Sequence, residues 1–182
     1  MCAMAGDKVV EAAIRTVPDF PRPGVLFYDI TGILMKPEAF ARCIDRMAAL
    51  YDRTALDAVA AVESRGFVFA APYACRRRLP LVLLRKKGKL PGETLRAGFA
   101  LEYGEDVIEV HRSDLSPGMK VLLVDDLIAT GGTLKAAAGL IAQAGARVVD
   151  IFGVVGLPFL DHASALSAYR VTTLVQFSGE HV

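Results

Sequence analysis

The sequence predicts an α/β fold in which helices flank a central, mostly parallel β-sheet. Short runs of consecutive apolar residues, such as 58–62 and 121–124, are typical of strands that are buried on both faces. These runs alternate with segments of helical period, which is the pattern of βαβ units. At 182 residues, of which 53% are apolar, the chain has the size and composition of one domain around a buried core.

The N-terminal elements are predicted from the spacing of apolar residues and from the positions of proline and glycine. Apolar residues recur near helical period over residues 7–16 and predict an amphipathic helix. Residues 18–24 contain three prolines and a glycine, which preclude regular structure. A second helix is predicted over residues 37–51, and the proline at its start is compatible with the first turn of a helix.

The rest of the chain alternates strands and helices around one long interruption. Strands are predicted at residues 58–62, 81–84, 121–124, 147–155 and 171–177, and helices at 67–77 and 134–144. Residues 85–120 separate the second and third strands, open with a basic run and contain a hairpin between Leu95 and Val110. Long glycine-containing segments inside compact domains are often lids or binding loops, so we expect a ligand-related role here.

Charge, cysteines and hydropathy limit the function classes. The 21 basic and 20 acidic residues leave a net charge of +1, which argues against a dedicated nucleic-acid-binding protein. Three separated cysteines show neither a zinc spacing nor a disulfide framework, so we expect a reducing, cytoplasmic location. The N-terminus is too polar for a signal peptide, and no apolar run reaches the roughly 18 residues of a membrane span.

The most informative segment is residues 121–133, where a buried strand leads through two aspartates into Thr-Gly-Gly-Thr and a helix. Gly131 and Gly132 permit close backbone approach, and amide groups at a helix start favour an anion such as a phosphate monoester. Asp125 and Asp126 would repel phosphate and instead suit a sugar diol, water around Mg²⁺ or developing positive charge. The sequence lacks the P-loop and GxGxxG motifs. The segment therefore predicts a ligand with both phosphate and polyhydroxyl parts.

Residues 121–133 resemble the phosphoribosyl pyrophosphate signature of the type I phosphoribosyltransferases at essentially every position. Three further stretches are similar to the adenine-specific members of that family; they are residues 18–30, residues 63–67, and residues 85–91 with 101–104. The resemblance implies a type I phosphoribosyltransferase fold in one domain over residues 1–182. It also implies a small N-terminal hood (residues 1–35) that contributes the base pocket, and a flexible lid in the hairpin insertion at residues 85–110.

The resemblance implies a purine-salvage reaction, in which adenine and phosphoribosyl pyrophosphate give AMP and pyrophosphate. Mg²⁺ is expected to arrive on the substrate near the two aspartates, without a protein-held metal site. A homodimer without nucleic-acid or membrane partners is expected from the same likeness. The segment after Gly156 resembles the family least, so we expect it to be structural.

The same resemblance assigns roles to residues. The catalytic group comprises Asp125 and Asp126 at the ribose and Glu102, which would manage the N9 proton of adenine, with Tyr103 helping to close the lid. The loop that holds the 5′-phosphate is formed by Ala129, Thr130, Gly131, Gly132 and Thr133. Pyrophosphate is expected at Arg65, Arg85 and Lys89. Adenine is expected at Leu26, Phe27 and Tyr28, although some relatives have arginine where Tyr28 stands, which puts a side-chain role there in doubt.

Two other functions stay open at this point. A phosphoribosyltransferase for another base, such as orotate, xanthine or hypoxanthine, would keep the phosphate loop and change the base pocket. A non-catalytic regulator that senses phosphoribosyl pyrophosphate and binds nucleic acid would need a basic face or an added domain, which this charge and length do not favour. His111, His162 and His181 have no metal-ligand spacing and are interpreted as surface or structural residues.

Overall fold

The computed structural model describes residues 6–101 and 104–179, and its first elements form an N-terminal layer. These elements are α1 Lys8–Glu11, β1 Arg15–Val17, β2 Phe27–Asp29, α2 Thr31–Leu34 and α3 Pro37–Leu50. β1 and β2 pair as a small antiparallel sheet, and the proline-rich segment between them lacks helix and strand, as predicted. The helix predicted at residues 37–51 is confirmed apart from its last residue.

The helix predicted at residues 7–16 is wrong in length, because α1 ends at Glu11 and residues 15 and 16 already belong to β1. A Cβ atom on Gly32 of α2 would lie 2.3 Å from the Ala13 carbonyl oxygen, so the two backbones touch at this point. Arg15 of β1 pairs with Asp29 of β2, with Nη2 2.7 Å from Oδ2. Tertiary contacts therefore override the local helical pattern.

The remaining strands of the described chain form one seven-stranded sheet. The strands are β3 Ala58–Val62, β4 Leu81–Lys86, β5 Thr94–Leu101, β6 Gly104–His111, β7 Lys120–Ile128, β8 Arg147–Gly156 and β9 Val171–Gln176. Their spatial order is β5-β6-β4-β3-β7-β8-β9. The five strands from β4 to β9 in that order are parallel, whereas β5 and β6 form an antiparallel hairpin on β4. The predicted sheet and hairpin are confirmed.

Helices cover both faces of this sheet. Besides α3, the helices are α4 Arg65–Arg77, α5 Gly132–Gln143 and α6 His162–Ala165, with 3₁₀ helices at Arg112–Asp114 and Pro158–Leu160. Every residue of β3 is buried, and its side chains alternate between two cores. Val59 and Ala61 pack with α3 and α4, whereas Ala60 and Val62 pack with α5 and the hairpin. Burial on both faces explains why these strands are apolar on consecutive residues.

The described helices include none with the length and hydropathy that a membrane-spanning segment requires.

Candidate active site

The carboxyl ends of β3 and β7 lie side by side, because Ala61 of β3 pairs with Val124 of β7. α4 begins just after β3, and Nε of its first residue, Arg65, donates to Oδ2 of Asp126 at 2.6 Å. The Arg65 side chain is 52% exposed, whereas that of Asp126 is 5% exposed. The structure thus joins a predicted basic residue and a predicted acidic residue that lie 61 positions apart in the chain.

Asp125 and Asp126 lie within β7 and not after it, since the strand continues to Ile128. Burial raises the pKa of Asp125 well above its usual value, and the neighbouring charge of Asp126 raises it further. Asp125 Oδ1 accepts the amide of Asp126 at 2.9 Å. The site therefore combines a carboxyl group whose pKa is raised with a carboxylate that is paired to a cation. Such a pair offers both a donor and acceptors to ligand hydroxyl groups.

Gly66 allows the first turn of α4 to pack directly on these aspartates. A Cβ atom at this position would lie 3.0 Å from the Val124 carbonyl oxygen and 3.2 Å from Asp125 Oδ1. The turn that leads into α4 contains a cis peptide bond between Glu63 and Ser64. Sequence reasoning assigned no role to Gly66, although the glycine in Glu-Ser-Arg-Gly was the available signal.

The predicted phosphate loop connects β7 to α5. Ala129, Thr130 and Gly131 form a bend, and α5 begins at Gly132. Gly131 has φ +81° and fits against Leu166, which an added Cβ would approach to 3.0 Å. The first amide groups of an α-helix have no intrahelical acceptor, so this start of a twelve-residue helix can receive an anion. The exposed Thr130 and the half-buried Thr133 add hydroxyl donors beside those amides.

The basic residues predicted at pyrophosphate differ in their environments. Arg85 Nε and Nη2 donate to the two carboxylate oxygens of Glu63 at 3.2 and 3.1 Å. Arg85 Nη1 also donates to the Lys89 carbonyl oxygen at 3.3 Å. Lys89 is exposed and forms no ion pair within the described ranges. Glu63 was missed by sequence reasoning, because its partner lies on a neighbouring strand, 22 positions further along the chain.

The N-terminal residues predicted at adenine lie on and beside β2. Leu26 and Phe27 are half-buried, and the Phe27 ring meets that of Phe20 edge-on with centroids 5.0 Å apart. Tyr28 is buried; its ring stacks on Phe177 at 4.1 Å, and its hydroxyl donates to the Gly179 carbonyl oxygen at 2.7 Å. The Tyr28 side chain thus ties the N-terminal layer to the segment after β9.

Leu127 is a half-buried residue of β7 that sequence reasoning did not single out. It follows the two aspartates and packs against the same core cluster as Leu26. It therefore places an apolar side chain beside the acidic pair.

Glu102 and Tyr103, the predicted proton-handling and lid residues, lie outside the described residues. His162 is buried, with Nδ1 3.4 Å from the Leu157 carbonyl oxygen. Within residues 6–101 and 104–179, no group of three or more His, Cys, Asp or Glu side chains is arranged to hold a metal. Two carboxylates, one of them paired with Arg65, fit Mg²⁺ that is carried mainly by substrate phosphates.

Comparisons with known proteins agree with this geometry. The profile of the phosphoribosyl transferase domain family matches residues 31–173. The chain is 56% identical to the adenine phosphoribosyltransferase of Treponema denticola, over 97% of this chain and 93% of the relative. The adenine phosphoribosyltransferase structure from Thermoanaerobacter pseudethanolicus superposes with a TM-score of 0.89 at 41% identity, covering 93% of this chain and 99% of that one. The enzyme from Giardia lamblia, complexed with 9-deazaadenine, gives a TM-score of 0.89 at 32% identity, covering 97% and 100%. The chain therefore belongs to the phosphoribosyl transferase domain family and, within it, to the adenine phosphoribosyltransferases.

Proposed function

We propose a division of labour among the residues of this chain for the reaction of its family, in which adenine displaces pyrophosphate from phosphoribosyl pyrophosphate and AMP forms. The observation that carries the proposal is the 2.6 Å pair between Arg65 and Asp126. This pair lies where β7 leads into the phosphate loop, so ribose, phosphate and pyrophosphate subsites meet within one short stretch of structure.

The 5′-phosphate binds at the start of α5. The loop from Ala129 to Thr133 supplies backbone amides and two threonine hydroxyls, and the helix dipole favours a negative charge there. The ribose hydroxyls then fall beside Asp125 and Asp126. Because bond breaking at the anomeric carbon leaves positive charge on the sugar, the acidic pair stabilises the transition state electrostatically once water is excluded.

Pyrophosphate binds to Arg65 and to the basic turn that carries Lys89. Arg65 is half exposed and already lies at the ribose side of the site, so it can contact an anion while it keeps Asp126 in place. Arg85 supports this turn through Glu63 and contributes positive charge. When bound with the substrate near Asp125 and Asp126, Mg²⁺ supplies charge neutralisation on the phosphate oxygens.

Adenine binds against the N-terminal hood, which comprises residues 1–35. Backbone groups of Leu26 read the amino edge of the base and Phe27 offers an aromatic face, with Leu127 as an apolar neighbour. Tyr28 contributes through its backbone only, because its ring and hydroxyl are held by Phe177 and Gly179. The 9-deazaadenine complex of the Giardia lamblia relative supports a purine pocket in this fold.

Glu102 receives the N9 proton of adenine, and Tyr103 helps residues 85–110 to close as a lid. Closure would exclude water and strengthen the electrostatic effect of the acidic pair. A carboxylate within hydrogen-bond reach of the imidazole edge is suited to this transfer.

A cytoplasmic homodimer is the proposed assembly and location. Among the described residues, exposed large apolar side chains include Val17, Phe20 and Met35, which offer surface for a second copy. Cys43 and Cys75 are free thiols, which fits a reducing compartment. Light scattering during size-exclusion chromatography tests the assembly, and a monomer at micromolar concentration would contradict it.

The decisive assay measures AMP formation from adenine and phosphoribosyl pyrophosphate with Mg²⁺, beside hypoxanthine, guanine and orotate. Turnover with adenine, lost in Glu102→Ala, supports the proton-transfer role. Faster turnover with another base would overturn the proposed pocket. Binding of phosphoribosyl pyrophosphate without turnover of any base would favour a regulator instead.

A further inference from the structure

We propose that Glu109 is a positioning residue, which folds the turn at residues 87–90 around its carboxylate and thereby holds the Lys89 cation at the pyrophosphate subsite. The inference rests on the proposed function, because that function assigns Lys89 to pyrophosphate. It concerns a residue of β6 for which neither the sequence motifs nor the reaction had required a role.

One oxygen of Glu109 organises the whole turn. Oε1 accepts the amides of Gly88, Lys89 and Leu90 at 2.8, 3.1 and 3.1 Å, and the side chain is fully buried. Successive backbone amides that converge on one negative atom form an anion-binding nest. Gly88 has φ +80°, a conformation that glycine adopts at no steric cost. The turn is therefore built around an internal anion.

The register of β4, β5 and β6 explains why a buried carboxylate lies beside this turn. Glu109 of β6 lies opposite Arg85 of β4 and opposite Arg96 of β5. Arg96 Nε donates to Glu109 Oε2 at 3.1 Å, whereas Arg85 reaches Glu63 on the other side. Burial alone would raise the pKa of Glu109, but the amides of the turn and the charge of Arg96 outweigh it and hold the pKa below its usual value. Glu109 is therefore charged at neutral pH.

This arrangement determines which groups of the turn at residues 87–90 can contact a ligand. The amides of residues 88–90 already donate to Glu109, so they are not available to phosphate oxygens. Arg85 is committed to Glu63 and to the Lys89 carbonyl oxygen. Lys87 and Lys89 are exposed; neither forms an ion pair in the described part of the chain, and the Lys89 charge lowers the pKa of Glu63 from a longer distance. The turn therefore presents ammonium groups on a rigid backbone, and Glu109 supplies the rigidity.

The test is steady-state kinetics of Glu109→Gln with thermal unfolding measured in parallel. Glutamine keeps the shape but removes the charge that gathers three amides, so we expect KM for phosphoribosyl pyrophosphate to rise about tenfold. KM for adenine and kcat should stay within about twofold, since the change reaches the reaction only through pyrophosphate binding. In a Lys89→Met background the same substitution should have little further effect on KM, because the cation that it positions is absent.

Asp106→Asn is the matched control. Asp106 lies on the same strand and pairs with Lys86 at 3.1 Å at the surface, without contact to the turn amides. Its KM for phosphoribosyl pyrophosphate should equal that of the wild type. If Glu109→Gln does not fold, Arg96→Gln, at an exposed position, removes the charged donor to Oε2 and leaves only the Thr94 hydroxyl at 3.4 Å, so it should raise the same KM about threefold.

The outcomes separate the two proposals. An unchanged KM for phosphoribosyl pyrophosphate in folded Glu109→Gln, or equal losses for both substrates, overturns the positioning role while wild-type turnover stands. Additive effects of Glu109→Gln and Lys89→Met overturn it as well. A wild-type level of pyrophosphate binding in Lys89→Met shows that the assignment of Lys89 to pyrophosphate in the proposed function is wrong.

Discussion

Two acids of neighbouring parallel strands have different surroundings: Asp125 of β7 is half-buried, and Asp150 near the amino end of β8 is buried. Burial raises the pKa of both carboxyl groups. Asp150 Oδ2 accepts the hydroxyls of Thr172 and Tyr51 at 2.8 and 3.1 Å and pairs with Arg170 at 3.2 Å. The pKa of Asp125, in contrast, is raised further by a second acid at its side.

The difference shows how the surroundings of a structural acid differ from those of an acid that we propose to be functional. Tyr51 at the end of α3, Thr172 of β9 and Arg170 before β9 all contact Asp150 Oδ2, so the chain itself uses this oxygen, whereas the buried Oδ1 has no hydrogen-bond partner among the described residues. Asp125 lies beside the like charge of Asp126, and this repulsion costs stability. A folded protein retains such an acidic pair where a ligand uses it. The following predictions run from the largest expected effect to the smallest.

Asp126→Ala removes the carboxylate that we propose to bind the ribose, and leaves Arg65 without its 2.6 Å partner. We expect kcat to fall about 100-fold to 1,000-fold, the size seen when one preorganised electrostatic group is deleted. Initial-rate measurements of AMP formation test this, with circular dichroism to verify folding. A loss of less than about fivefold would contradict the assigned role.

Asp150→Ala leaves the hydroxyls of Tyr51 and Thr172 without their buried acceptor. We expect the free energy of unfolding to fall by about 2–3 kcal/mol, since unsatisfied buried polar groups are costly. Urea unfolding measures the loss. The kcat of the folded variant should match the wild type, and a selective loss of kcat would remove the contrast with Asp125.

Gly66→Ala puts a methyl group against Val124 and Asp125 at 3.0 and 3.2 Å. We expect kcat/KM to fall about tenfold, equivalent to about 1.4 kcal/mol, as the first turn of α4 moves away from the acidic pair. Gly139→Ala in α5 is the matched control, because nothing lies within 4 Å of its added Cβ atom. Equal activity of the two variants would show that close packing at Gly66 is not needed.

Asp125→Asn removes a carboxyl group whose ionisation the fold disfavours, and should raise the free energy of unfolding at pH 7 by about 1 kcal/mol while activity falls. The folded pKa of Asp125 lies above the unfolded value of 3.8, so the folded state binds this proton more tightly. Wild-type stability therefore decreases as the pH rises from about that value through the folded pKa. The gain in the variant should shrink as the pH falls through the same window. A gain that is independent of pH, measured by urea unfolding at several pH values, would contradict the pKa assignment.

Local patterns predicted much of the fold and part of the site. The alternation of apolar runs and helices predicted the parallel sheet, and residues 121–133 predicted the acidic strand end, the loop and α5. These features depend on residues that are close in sequence, so a short segment is enough to predict each of them. The adenine resemblance rested on four stretches, and the comparisons confirm the family that it implied.

By itself, the sequence determined the sheet, the phosphate-loop motif and the family, because periodicity, glycine placement and motif spacing are properties of short segments. Only the tertiary structure decided that α1 ends early against Gly32, that Tyr28 is held by Phe177, and that Glu109 gathers the turn beside Arg85. Each depends on strand register or on packing between distant segments. The partners of a buried charge lie on distant segments, and the residues next to that charge in the sequence do not specify the register that brings the segments together.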